Sequence, residues 1–202
     1  MADKQSTTGL VLIDLINEIV DPKGKLAGKG YAEFVERHGT LDKVHQLLSA
    51  ARSEGIPIFH VRVAFSPDYK EQPEASPLFG GAKKFAALEN GSWGAEFHPK
   101  ASPKTNEAEM IKHRVSAFYG TPLDLVLRTY GITEILVCGV ATDLAVQSAA
   151  RDAHDRDYVT TIVADCCAAA TDEDHDQALR LLSKIASVKV LADIGFASKL
   201  SA

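Results

Sequence analysis

Three cysteines in 202 residues, two of them adjacent (Cys166 and Cys167), are too few and too poorly spaced for a disulfide framework. A reducing cytoplasm is the compartment this implies. Long hydrophobic runs are missing as well. The apolar stretches are strand-sized, well short of the roughly 20 residues that a membrane span takes. The first residues, MADKQSTTG, carry no apolar core of a secretory signal, so none is expected. There is no surplus of positive charge. With 22 Lys plus Arg against 27 Asp plus Glu the net charge is −5, which leaves no electrostatic footprint for nucleic acid or an anionic membrane surface. Internal repeats and low-complexity tracts are absent too. What remains is an ordinary globular balance, 46% hydrophobic and 24% charged, and a length suited to one domain over residues 1–202 with a sizeable core.

Apolar runs alternate with helical patterns along the chain. GLVLID (9–14) reads as a strand ending in an acid, followed by a loop with Pro22, Gly24, Gly28 and Gly30. Residues 31–54 carry helical periodicity, with Phe34, Val35, Leu41, Val44, Leu47, Leu48 and Ala51 mostly on one face and Gly55 as a stop. IPIFHVRV (56–63) reads as a buried strand. Residues 65–107 are rich in Pro, Gly, Ser and Lys and too long for a passive connection, which suggests a lid or binding loop. Strands at 109–113, 134–140, 159–165 and 187–192 then alternate with helices at 121–130, 142–157 and 172–186. Strands apolar on both faces imply a doubly wound, three-layer α/β domain whose mainly parallel sheet is covered by helices on both sides. In such sheets ligands bind at the carboxyl ends of the strands.

Asp14, Arg62, Lys112 and the turn at 139–145 all fall at or near strand ends. Alone, Asp14 has the commonplace role of a cap or loop carboxylate, and Lys112 that of a solvated charge. Together they place a carboxylate and an ammonium where an α/β sheet builds its site, and a buried lysine tunes the proton affinity of a nearby acid. Gly139 breaks a strand, and the helix that follows presents unpaired N–H groups suited to an oxyanion or carboxylate. Arg62 suits a substrate carboxylate or a surface ion pair equally. Trp93, the only tryptophan, lies in GSWGAEFHP (91–99), where it stacks on a planar substrate or anchors the loop. Phe118 and Tyr119 follow the lysine strand as an expected apolar wall. Cys138, Cys166 and Cys167 read as small buried hydrophobes.

Three segments in order resemble the isochorismatase-like, or cysteine hydrolase, superfamily, which includes nicotinamidases, carbamoylsarcosine amidohydrolases, ureidoacrylate hydrolases and isochorismatases. DLIN (14–17) is similar to its D-x-Q-N opening, with Ile16 where glutamine is usual. IKHRVSAFYGTPLD (111–124) resembles its lysine segment, and GVATDLAVQSAARDAHDRDY (139–158) its nucleophile segment. The resemblance, from Val11 to about Ala192, implies a triad of Asp14, Lys112 and position 145. It also implies a cis peptide at Val140–Ala141 and an oxyanion hole from the N–H groups of Ala141 and residue 145. The family's cysteine position is occupied by Ala145. Residues 60–69 lack the metal-binding pattern of nicotinamidases, so no catalytic metal or other cofactor is expected, and His60 reads as a packed core residue. The resemblance implies a small-molecule substrate and a homo-oligomer, for which the 65–107 segment offers a contact surface. Three readings of position 145 stay open. The first is a hydrolase that uses Asp14 as proton-transfer residue, starts with acid and needs no thiol. The second is an amide or ureide C–N hydrolase whose cysteine is replaced by alanine. The third is a catalytically silent binding relative.

Overall fold

The computed structural model describes residues 7–197. Six strands form one all-parallel sheet: β1 (Thr8–Ile13), β2 (Ile58–Val63), β3 (Ala108–Lys112), β4 (Glu134–Val140), β5 (Val159–Ala168) and β6 (Ser187–Lys189). Their order is β3-β2-β1-β4-β5-β6. The chain winds outward from β1 in one direction through β2 and β3, then returns and winds the other way from β4. The boundary between the halves, where β1 pairs β4 with Ile13 opposite Gly139, is the crevice where such sheets hold ligands. Leu10 to Ile13 are consecutive and essentially unexposed, so both faces of β1 are covered, as the unbroken apolar run required.

The helices are α1 (Asn17–Val20), α2 (Tyr31–His38), α3 (Thr40–Ser53), α4 (Leu123–Thr129), α5 (Gln147–His154) and α6 (Asp172–Leu182). The expected single helix over 31–54 is two. Gly39 takes a left-handed conformation (φ 61°) and its N–H caps the Val35 and Glu36 carbonyls, so α2 ends there with Arg37 and His38 in its last turn. The helix expected over 142–157 opens instead with one wide π turn, Thr142–Val146, in which the Val146 N–H reaches back to the Ala141 carbonyl (3.0 Å). Residues 159–165 extend as a strand to Ala168, across a register shift opposite Val137–Gly139. The strand expected over 187–192 is confined to Ser187–Lys189 and passes into a 3₁₀ turn, Leu191–Asp193.

Two backbone positions fix the crevice. Gly139 has φ 135°, and a Cβ there would lie 2.0 Å from the Ile13 carbonyl oxygen, so only glycine lets β4 approach β1 this closely. Asp14 has φ 53°, a left-handed conformation that Asp tolerates better than most residues; it turns the chain out of the sheet immediately after β1.

The 65–107 segment contains only short 3₁₀ turns and is packed down firmly. Phe65, Tyr69, Phe79, Leu88, Ala95 and Phe97 are buried in the core. The Gln72 amide donates to the Phe79 and Gly80 carbonyls, and the Tyr69 hydroxyl to Ala87. Among the described residues no helix is long and apolar enough to cross a membrane.

Candidate active site

Asp14 at the end of β1 and Lys112 at the end of β3 meet across β2. Lys112 Nζ lies 2.7 Å from Asp14 Oδ2, with both side chains almost wholly buried. The ammonium also donates to the carbonyls of Arg114 (3.1 Å) and Val115 (3.0 Å), so each of its three protons has an acceptor. Asp14 Oδ1 accepts the Val63 N–H at 2.6 Å. Burial pushes the Asp14 carboxyl above its ordinary range, and the charge and hydrogen bonds of Lys112, with the Val63 amide, pull the other way without fully offsetting it. A carboxyl set above its usual range at the floor of a cleft is a candidate proton donor.

The pair forms the floor of a cavity of about 550 Å³, part of it open to solvent. On one side stand Val140, Ala141, Leu144 and Ala145, from the end of β4 and the wide turn after it. The Val140–Ala141 peptide is cis, at the position that the resemblance indicated. Ala145 is buried and lines the cavity, at the position that the resemblance assigns to a cysteine. The turn is held from outside by Thr142, whose hydroxyl meets His175 Nδ1 of α6 at 2.8 Å. On the other side the 65–107 segment contributes Leu78, Phe79 and Leu88.

None of the three cysteines lines this cavity. All are buried in strands, and burial pushes Cys138 and Cys166 up strongly and Cys167 up to about 12. His60 is wholly buried within β2, with Nε2 2.8 Å from Glu107 Oε2 and its ring edge-on to Phe97.

The structure does not bring the other four sequence candidates to the cavity. On β2 neighbouring side chains face opposite sides; Val63 takes the cavity side and Arg62 the other. The Arg62 guanidinium donates to the Ala95 carbonyl and Asn90 Oδ1, both at 3.0 Å, and lies over Phe97, so it pins the 90–97 loop. Trp93 is 47% exposed, and its backbone carbonyl is tied to the Asn17 amide group (2.9 Å). Phe118 packs on Tyr158 beneath Arg156, and Tyr119 is exposed. The reason is local. Lys112 draws the Arg114 and Val115 carbonyls back toward itself, Ser116 bonds Asp152 of α5, and the chain turns away from the cavity after Val115.

Sequence reasoning missed four contributors. Glu18 is 2% exposed; its two oxygens accept the N–H groups of Lys25 (2.9 Å) and Leu88 (3.0 Å), tying the 22–30 loop and the long segment to one carboxylate. In sequence it looks like an ordinary first-turn acid. Asn17 bridges to the long segment through Trp93. Lys29 and Tyr31 line the cavity from the end of the glycine-rich loop, whose spacing of Pro22, Gly24, Gly28 and Gly30 was the available signal.

Comparison with known proteins agrees with this arrangement. The Isochorismatase domain family model matches residues 8–193. An uncharacterised isochorismatase family protein, YecD of Escherichia coli O157:H7, is 36% identical over 193 residues, covering 93% of this chain and 94% of its own. Ureidoacrylate amidohydrolase RutB of Methylobacterium radiotolerans is 29% identical over 185 residues, covering 86% and 71%. The crystal structure of nicotinamidase PncA from Bacillus subtilis superposes with a TM-score of 0.75 at 29% identity, covering 90% of this chain and 98% of that one. A match spanning nearly every strand and helix, with the acid and lysine paired in the cleft and a cis peptide leading into the turn, places this chain in the isochorismatase family.

Proposed function

We propose that this hydrolase acts on a small metabolite by acid-initiated chemistry, with Asp14 as the proton-transfer residue, Lys112 as its partner, and no covalent thiol intermediate. The observation that carries the reading is Ala145 in the wall of a cavity floored by a buried carboxyl whose proton affinity is raised by burial. Among the described residues no thiol lines that cavity. A vinyl ether is the matching substrate type. Protonation of its alkene carbon by Asp14 leaves an oxocarbenium ion and a carboxylate. Lys112, already bonded to that carboxylate, stabilises the charge formed there. Water adds to the cation and gives up a proton to the Asp14 carboxylate. The resulting hemiketal breaks its C–O bond, its hydroxyl proton passing to the departing oxygen, to release an alcohol and a carbonyl compound. The N–H groups of Ala141 and Ala145 are the proposed donors to the oxygen of the reacting centre as the hemiketal forms and breaks. The open cavity argues against a silent relative whose site has been filled. The chain is further proposed to work as a cytoplasmic homo-oligomer.

A second reading is an amide or ureide C–N hydrolase, favoured by the amidohydrolase relatives, which requires a nucleophile at position 145. Ala145→Cys separates the two. The new thiol would sit in the first turn of a helix, in the same cavity as Lys112, and both features favour thiolate. Under the acid-initiated reading the cysteine form gains no turnover on a panel of primary amides and ureides, while the native protein hydrolyses a member of an enol-ether panel. Amidase activity appearing only with the cysteine, alongside rapid alkylation of it, would overturn that reading in favour of the second.

A further inference from the structure

The glycine-rich loop before α2 bears on what the cavity takes in. Lys29 lies in a 3₁₀ turn (Ala27–Lys29) and Tyr31 opens α2; both line the cavity, Lys29 on its exposed rim and far less buried than Asp14 or Lys112. Their backbone is held firmly. The Leu26 N–H bonds the Glu18 carbonyl (3.0 Å), and the Lys25 N–H bonds the Glu18 carboxylate. Gly30 has φ 101°, and a Cβ there would lie 2.3 Å from the Ala170 carbonyl oxygen, so the loop rests directly on the segment after β5. The two side chains are thus presented from a fixed base.

Charge decides what they meet. Asp14 and Lys112 are paired with each other. Lys29 forms no ion pair among the described residues, so its ammonium is the cation left unpaired at the rim, while Asp143 and Asp174 act on the Tyr31 side. The Tyr31 phenol is pushed up by burial and then by the charges of Asp143 and Asp174, so it keeps its proton and acts as a donor. Between the rim and the floor the walls are apolar, with Ile19, Leu26, Val63, Phe79 and Leu88.

We propose that Lys29 and Tyr31 form a carboxylate-recognition element, and that the substrate class is a monocarboxylate with an apolar body reaching down toward Asp14. The proposal rests on reading this cavity as the hydrolytic site. One ammonium and one phenol match the two oxygens of a carboxylate, whereas a phosphate dianion calls for a richer set of donors. A cationic substrate is disfavoured by the same lysine.

The test is calorimetric binding of benzoate and of its neutral isostere benzamide to the full-length protein at low and high salt. The native protein is expected to prefer benzoate, and rising salt to narrow the preference. Lys29→Gln is expected to weaken benzoate roughly three- to tenfold and leave benzamide unchanged, Lys29→Arg to restore the preference, and Tyr31→Phe to weaken benzoate by a smaller factor. Equal affinity of the native protein for both probes, no benzoate binding at millimolar concentration, or a Lys29→Gln effect equal on both would overturn it. Turnover of Asp14→Asn on the enol-ether panel is measured alongside. Its survival would remove the acid role while the binding result still decides the carboxylate element.

Discussion

The Asp14–Lys112 pair makes a prediction that needs no substrate. Replacing Asp14 with Asn removes one of two acceptors. Asp14 Oδ1 takes the Val63 N–H at 2.6 Å and Oδ2 takes Lys112 Nζ at 2.7 Å. An amide has a single oxygen, so its NH₂ must face either the Val63 N–H or the ammonium, donor against donor. Lys112 keeps only neutral acceptors, its two carbonyls and in one orientation the Asn oxygen, in a site where it is 1% exposed. Breaking one side of a buried pair typically costs about 3–5 kcal/mol. The two remaining carbonyls put Asp14→Asn near the lower end, about 3 kcal/mol, and Lys112→Met is expected to cost a similar amount. The double variant has no buried charge left to strand, so its loss should fall short of the sum by about 2 kcal/mol. Urea unfolding followed by far-ultraviolet circular dichroism measures all four forms. Additivity within about 0.5 kcal/mol would refute the coupling.

The pH dependence of the same pair is more discriminating. A carboxyl raised above its ordinary 3.8 binds its proton more tightly in the folded protein than in the unfolded chain. Its contribution is therefore most favourable near that ordinary value, declines as pH rises through the folded-state value, and then levels off. The stability difference between the native protein and Asp14→Asn should narrow across that window. A difference that widens with pH would mean that Lys112 outweighs burial, and Asp14 would lose its standing as a proton donor at neutral pH.

Three further outcomes are expected. Gly139→Ala drives a Cβ into the Ile13 carbonyl at 2.0 Å and should cost at least about 3 kcal/mol, or roughly 6–12 °C in Tm by scanning calorimetry; a loss under about 1 kcal/mol would refute the close approach. For Glu107, burial alone would raise the carboxyl, but hydrogen bonds from Arg52, the Lys104 N–H and His60 bring it down to about 2. It therefore supplies stability that is present above its ordinary 4.5 and lost as pH falls toward about 2. Glu107→Gln should remove that slope in acid unfolding and cost about 2 kcal/mol at neutral pH. Light scattering at micromolar concentration should give a multiple of the 21.7 kDa chain mass, and a monomer would count against the oligomer.

The sheet was legible because a parallel strand buried on both faces is written as a mostly apolar run, clearest in β1 and β4, while β2 is interrupted by His60 and Arg62. Asp14 was legible because it ends such a run, and Lys112 because it closes a short strand. Arg62 also sits near the end of one, yet it faces away. Position along a strand is visible in sequence, but which face carries the crevice depends on how the sheet is covered. Phe118 was misplaced because the chain turns away after Val115, its carbonyls at Arg114 and Val115 bonded back to the Lys112 ammonium, a local turn that no familiar residue pattern announces. The break at Gly39 was visible in principle, since two basic residues precede the glycine as they do at many helix ends. The amphipathic pattern that continues through it hid the break.

Glu18 bears on how this scaffold can change. Its carboxylate grips two neighbouring loops that both line the cavity, through backbone N–H groups alone. Such a grip does not depend on which side chains the loops carry. Substitutions at Lys29 or Leu78 can therefore exchange one ligand preference for another while the rim keeps its shape, whereas inserting or deleting a residue between 18 and 25 would move a gripped amide out of reach. Selection, or a directed library, has a set of freely variable contact positions mounted on a frame of fixed chain length. Function should drift here by point substitution long before it drifts by a change in loop size.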